Sequence, residues 1–155
     1  MLSWLAKQLV TYTMGQTRRG NIKPTLLLDA PDVTLVFPGD NSWSGTFRGR
    51  EQVRRWLERF AQVGIQIYPD EVAVSGWPWR MTLCIRGRDH LDAPDGTRVY
   101  ENRYVIWGHL RWGRLVDYEV YEDTIAPRAL DAHLERTGGP APTAQRVVFA
   151  SEASG

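Results

Sequence analysis

Residues 97–124, TRVYENRYVIWGHLRWGRLVDYEVYEDT, hold the side chains best suited to chemistry. The stretch reads as two strands joined at Trp112-Gly113, and alternation puts Tyr100, Asn102, Tyr104 and Ile106 on one face of the first. Glu101, Arg103, Val105, Trp107 and His109 fall on the other. If the turn pairs Leu110 with Arg114, Tyr104 lies opposite Val120, Asn102 opposite Glu122 and Ile106 opposite Tyr118; a turn one residue shorter changes these partners. The first face, with Tyr118, Val120 and Glu122, mixes apolar surface with a few convergent hydrogen-bonding groups, the makeup of a small-molecule site. The competing reading has Asn102 and the tyrosines satisfying backbone groups in a packed core. The second face, rich in charge, suits an exposed or subunit-facing side.

The catalytic candidates are Asp123, Glu122 and Tyr104, with Asp29, Asp40, His90 and His109 as further acids and bases. One carboxylate or imidazole whose pKa is tuned by an apolar pocket suffices to move an activated proton. Asp123 has a competing role as a helix N-cap, and His90, beside Asp89 and Asp92, reads as part of an exposed hairpin. Three scattered histidines offer no metal-ligand spacing. No glycine-rich dinucleotide or phosphate loop follows a strand, so neither a metal nor a cofactor is expected. The single cysteine, Cys84, sits in an apolar run and reads as a small core residue.

A chain of 155 residues fits one domain around one core. Nineteen basic against eighteen acidic residues give a net charge of +1, too weak a field to gather nucleic acid or an acidic membrane surface. No apolar run reaches the roughly 18–20 residues of a membrane span, and MLSWLAKQLV lacks the features of a signal peptide. A cytoplasmic protein acting on a small molecule is expected. Seven tryptophans and six tyrosines suit an apolar pocket with polar handles as well as a core.

Several elements must position these residues. Leu2, Leu5, Leu9, Tyr12 and Thr13 recur near helical spacing over 2–19, and Pro24 opens a short helix through Thr25–Leu28. A strand is expected at Val33–Phe37, closed by Pro38-Gly39, and GDNSWSGTFRG reads as a loop. Trp43 in that loop either lids a cavity or packs on the next helix. That helix starts at Arg50 or Glu51, with Val53, Trp56, Leu57 and Phe60 on one face and Gly64 as its stop. Strands follow at about 66–76, 79–90, 97–111 and 114–122, with a turn at Asp95-Gly96. Trp77 and Trp79 flank Pro78, which suggests a bulge at an edge. Asp123-Thr124 and Pro127 lead into a helix, PRALDAHLERTGG. The domain is expected over 1–137 and a mostly loose tail over 138–155, apart from an RVVFA patch that can dock on the sheet or on a partner chain. The fold class is α+β, with helices gathered on one face of a meander.

This order resembles the nuclear transport factor 2-like superfamily, and within it the SnoaL-like branch that includes polyketide cyclases. The likeness rests on DVTLVFPGDNSWSGTFRGREQVRRWLERF (32–60), DGTRVYENRYVIW (95–107) and WGRLVDYEVYEDT (112–124). It implies a cone: a strongly curved, mainly antiparallel sheet wrapped around the N-terminal and central helices, with an apolar cavity at one end. It also implies a homodimer through the outer face of the sheet. On this resemblance Tyr12, Phe37, Trp43, Trp56, Tyr100, Asn102, Ile106, Tyr118 and Val120 are the expected ligand-binding residues.

The same resemblance supplies negative tests. The ketosteroid isomerase branch keeps its proton-shuttling aspartate just before the proline that ends the first strand, where this chain has Phe37. No carboxylic acid lies between residues 102 and 116 for that branch's oxyanion hole, although Tyr12 corresponds to its tyrosine donor. The limonene epoxide hydrolase branch needs two aspartates bridged by an arginine. Here Val120 stands at one aspartate position, before Asp123, and Arg86 alone activates no water. The expected activity is therefore binding of a small, largely apolar molecule, with cofactor-free acid-base chemistry of the cyclase or isomerase type. The alternatives are a non-catalytic ligand-binding or dimerisation domain and water addition of the epoxide hydrolase type. A carboxylate or histidine lining an enclosed pocket separates enzyme from binder, and a buried Asp-Arg pair would mark the water-adding route.

Overall fold

The structure is a computed structural model and describes residues 1–140. Its elements run α1 (Leu2–Arg18), α2 (Lys23–Leu28), β1 (Asp29–Phe37), β2 (Gly45–Arg48), α3 (Gly49–Val63), β3 (Gln66–Trp77), β4 (Arg80–Asp92), β5 (Arg98–Arg111), β6 (Arg114–Glu122) and α4 (Ala126–Thr137). The six strands form one open sheet in the order β2-β1-β6-β5-β4-β3. All neighbours are antiparallel except β1 and β6, which run parallel; strand β2 and helix α3 separate β1 from the meander. The α+β cone expected from the sequence is the fold observed. The expectation for residues 141–155, RVVFA included, lies outside the described residues.

Helix α3 is the central packing element. Val53, Trp56, Leu57 and Phe60 share one face and are buried, and Gly64 ends the helix in the left-handed conformation at φ 85°. Trp56 stacks on Phe60 at 5.6 Å and meets Phe37 of β1 at 5.5 Å. These rings join Val33, Leu35, Leu83, Ile85 and Val120 of the sheet in one core.

Three differences from the sequence reading have local causes. The loop after β1 contains β2, whose Phe47 pairs with Leu35, so β1 has an antiparallel partner that turn-forming residues concealed. The Trp77–Arg80 segment is the β3–β4 hairpin itself, with Trp77 pairing Arg80 and Trp79 stacked on Trp77 at 5.5 Å, rather than a bulge. The β5–β6 turn is a tight two-residue one, Trp112 at φ 53° and Gly113 at φ 74°, and it pairs Arg111 with Arg114. A bulge between His109 and Leu110 adds a second one-residue shift, so Tyr104 pairs with Glu122 and Ile106 with Val120. Two shifts of one residue preserve parity, and the same side chains still share a face.

Candidate functional site

Between α1, α3 and the inner face of the sheet lies an apolar cavity of about 150 Å³. Its walls are apolar because each element contributes its inward residues: Val10 and Met14 from α1, Trp56, Leu57 and Phe60 from α3, and Leu83, Ile85, Ile106 and Val120 from the strands. An apolar void of about this size holds a molecule as large as benzene. Three carboxyl groups open onto it: Asp29, Asp89 and Glu122.

Asp89 and Glu122 form one polar end. They sit on β4 and β6, on either side of β5, where Asp89 pairs with Asn102 and Glu122 with Tyr104. The Tyr100 hydroxyl lies 3.3 Å from Asp89 Oδ2 and 3.4 Å from Glu122 Oε2, while Asp89 Oδ1 and Glu122 Oε1 have no protein partner. Loss of water drives Asp89 up to about 7 against the pull of the Tyr100 hydrogen bond. Burial, reinforced by the neighbouring charge of Asp89, drives Glu122 up to about 8. Burial also raises Tyr100, so its hydroxyl stays a proton donor.

Asp29 forms the other end. It begins β1 opposite Leu115, at the start of β6, whereas Glu122 ends β6, so roughly 20 Å of strand separates the two positions. Its side chain is fully buried and neither carboxyl oxygen has a protein partner. Burial raises it to about 7, opposed by the nearby charge of Arg50, whose guanidinium donates to the Asp29 backbone oxygen and not to the carboxyl. The Tyr118 hydroxyl, also buried and without a partner, is pushed well upward by burial and next by the Asp29 charge.

Among the expected residues, Phe37, Trp56, Tyr104, Ile106, Tyr118, Val120 and Glu122 line this cavity. Tyr104 is buried there with its hydroxyl already donated to Tyr68 O at 3.1 Å. Tyr100 and Asn102 are buried on the same face but lie beyond the cavity. Tyr100 serves the carboxyl pair, and Asn102 Nδ2 donates to Asp123 O at 2.8 Å. Trp43 does not line this cavity: it is buried edge-on against Trp56 and Phe60, with the Arg59 guanidinium 3.8 Å over its ring, and lines a smaller pocket with Asp89, Tyr100 and Glu122.

Two candidates sit elsewhere. Tyr12 is 56 % exposed because α1 turns Val10, Thr13 and Thr17 inward, so the Leu2-Leu5-Leu9-Tyr12 stripe faces outward. Asp123 is exposed, and its Oδ1 accepts from Ile125 N at 2.9 Å, an Asx turn leading into α4. Asp40 pairs with Arg128, His109 with Asp117 at 2.6 Å, and His90 stacks on Tyr68, all away from the cavity. Arg86 is held by Glu71 on the surface, so no buried Asp-Arg carboxylate pair forms among the described residues.

Asp89 is the cavity-lining carboxyl that the sequence reading passed over. It shares parity with Leu83 and Ile85, which was the available signal, but the charged RGRDHLD context masked it. Among the described residues no cluster of three or more His, Cys, Asp or Glu is arranged to hold a metal ion, and no helix is long and apolar enough to cross a membrane.

No family model and no curated protein matches the sequence. Solved structures do. A nuclear transport factor 2-like protein of unknown function from Burkholderia pseudomallei is 24% identical, with 76% of this chain and 90% of that one covered and a TM-score of 0.61. TerC, co-crystallised with polyporic acid, is 23% identical over 77% of this chain and 92% of its own, with a TM-score of 0.62. Bal32a, from a soil-derived mobile gene cassette, is 18% identical over 78% and 92%, with a TM-score of 0.65. The chain therefore has the nuclear transport factor 2-like fold.

Proposed function

We propose that the protein binds a small, largely apolar molecule in the cone cavity and acts on it by cofactor-free proton transfer of the cyclase or isomerase kind. The observation that carries this reading is the Asp89–Glu122 pair, two carboxyls drawn toward neutrality by burial at the end of an apolar cavity. A general base works best with a pKa near the operating pH, and two acids that repel each other's charge divide into one ionised and one protonated partner. The ionised partner removes a proton from a carbon next to a carbonyl. The protonated partner donates to the oxygen on which negative charge develops. The proton returns to a different carbon in an isomerisation; in a cyclisation the carbanion attacks a second carbonyl, whose π electrons move to its oxygen, and that oxygen takes up a proton from the carboxyl pair. Similar solved structures include a candidate polyketide cyclase from Sinorhizobium meliloti and a candidate isomerase from Rhodopseudomonas palustris, and both support this class of chemistry. TerC with polyporic acid supports occupation by a small organic molecule.

Dimerisation through the outer face of the sheet belongs to the same reading, supported by Trp107 and Tyr121, about half exposed there. Native mass spectrometry of the purified protein tests occupancy, and turnover of any retained molecule tests the chemistry. Glu122→Gln and Asp89→Asn should each lower turnover at least a hundredfold. Undiminished turnover in both would sink the assignment, and an occupied cavity without turnover in the parent protein would leave a binder.

A further inference from the structure

Proton transfer at the Asp89–Glu122 end leaves the opposite end of the cavity without a role. Asp29 lines that end fully buried with both carboxyl oxygens unpartnered, and the Tyr118 hydroxyl beside it is unpartnered as well. Buried oxygens without hydrogen bonds are costly to a fold, and a site keeps them where a ligand completes them. Their chemistry defines the complement. The two free carboxyl oxygens accept hydrogen bonds, the phenol accepts one as well as donating its own, and no lysine, arginine or histidine lines the cavity. An anionic ligand would therefore meet three carboxyls and no cationic side chain among the lining residues, the nearby Arg50 standing outside that lining.

From these observations we infer that Asp29 and Tyr118 form a recognition subsite for a hydrogen-bond-donating, non-anionic group of the substrate, a hydroxyl or a protonated amine, with the apolar body lying in the cavity beside it. The inference rests on the proposed use of the cavity and deepens it. It names what the substrate carries at its far end and excludes carboxylates and phosphates. The two donor types make the same contact and differ in one respect. An ammonium requires ionised Asp29, whereas a hydroxyl is held by either form, and the neighbouring Arg50 favours the ionised form.

Four probes on one scaffold separate these possibilities: 4-phenyl-1-butanol, 4-phenylbutylamine, 4-phenylbutyrate and butylbenzene, titrated into the full chain by calorimetry at pH 8. The alcohol or the amine should bind at least tenfold more tightly than butylbenzene, and the carboxylate more weakly than either. Asp29→Asn should reduce that advantage at least tenfold for the amine and less for the alcohol. Tyr118→Phe should reduce it severalfold for the alcohol, while both variants keep the parent's affinity for butylbenzene, which reports an intact cavity. Equal binding of butylbenzene and the donors, tighter binding of the carboxylate, or a donor preference that survives both substitutions would overturn the subsite but leave the cavity a ligand site. Failure of all four probes to bind would remove the cavity reading and the subsite together.

Discussion

Asp89 and Glu122 are joined through a single hydroxyl, that of Tyr100, at 3.3 and 3.4 Å. Because Tyr100 carries one proton, it can donate to only one of the two carboxyls at a time. The other is left to hold a proton of its own or to stand charged in an apolar wall. The pair therefore behaves as one unit whose proton count changes near neutrality, and its titration belongs to both residues.

Stability should fall as pH rises through this range. Asp29, Asp89 and Glu122 bind protons more tightly in the folded chain, at about 7, 7 and 8, than at their ordinary values of 3.8, 3.8 and 4.5. The stabilisation from protonated carboxyls is complete below pH 4, where both states are protonated, and is lost on the way up to pH 8. All three differences have the same sign, so their effects on stability run in one direction. Thermal unfolding between pH 5 and pH 9 should show this decline, and Glu122→Gln should flatten it and melt above the parent at pH 9. A melting temperature that rises from pH 5 to pH 9 would contradict the burial argument.

Tyr100→Phe should raise the titration of both acids. The tyrosine hydrogen bond favours the charged form of Asp89 and of Glu122, so its removal leaves burial less opposed. Carboxyl carbon NMR of the variant should place both midpoints higher than in the parent, and unchanged midpoints would show that the hydroxyl does not link the pair.

How far the site was legible depended on which rule placed each residue. Strand alternation put Ile106, Tyr118, Val120 and Glu122 on the cavity face, and helical spacing put Trp56 there, because both rules follow from backbone geometry alone. Alternation tolerated the misjudged β5–β6 register, since turn and bulge shifts cancelled in parity. Tyr12 was misplaced because α1 carries apolar residues on more than one side, and only packing on the sheet selects Val10, Thr13 and Thr17 as the inward face. Asp123 and Asp89 show the harder limit. A carboxylate in sequence carries no mark of its surroundings, so the exposed turn residue drew attention and the buried partner of Glu122 did not.

Arg59→Met should destabilise the fold and release Trp43. Arg59 is buried in α3 and donates to Ser42 O at 3.0 Å and to Ser42 Oγ at 2.7 Å, while Ser42 donates to Asp131 of α4 through its backbone nitrogen at 2.8 Å and its hydroxyl. The guanidinium thus ties the loop after β1 to α3 and α4 and covers the Trp43 ring. Methionine fills much of the space but leaves the Ser42 carbonyl and hydroxyl oxygens without the donor that Arg59 supplies, and the Asp131 carboxylate without its nearby countercharge, a loss of roughly 2–4 kcal/mol. Urea denaturation should show the loss, and tryptophan emission should shift to the red as Trp43 meets water. Unaltered emission would mean that the loop is held by its other contacts.

Gly87→Ala should disturb the cavity wall. Gly87 pairs with Tyr104 on one side and Pro69 on the other, and a Cβ there would lie 2.2 Å from Tyr68 O and 2.3 Å from the Tyr104 hydroxyl. Those two atoms are themselves hydrogen-bonded at 3.1 Å, so the methyl group would wedge apart the contact that holds Tyr104 against the cavity. Backbone cannot yield as a flexible side chain does, and overpacking with loss of that bond should cost roughly 2–4 kcal/mol in urea denaturation. Tyr104→Phe removes one of three clashing atoms, the hydroxyl, and leaves the ring carbon Cζ at 2.5 Å. Gly87→Ala combined with Tyr104→Phe should therefore lose less stability than the sum of the single changes, by about 1 kcal/mol. Strict additivity would show that the strain falls on the Tyr68 carbonyl alone and that Tyr104 keeps its place in the wall.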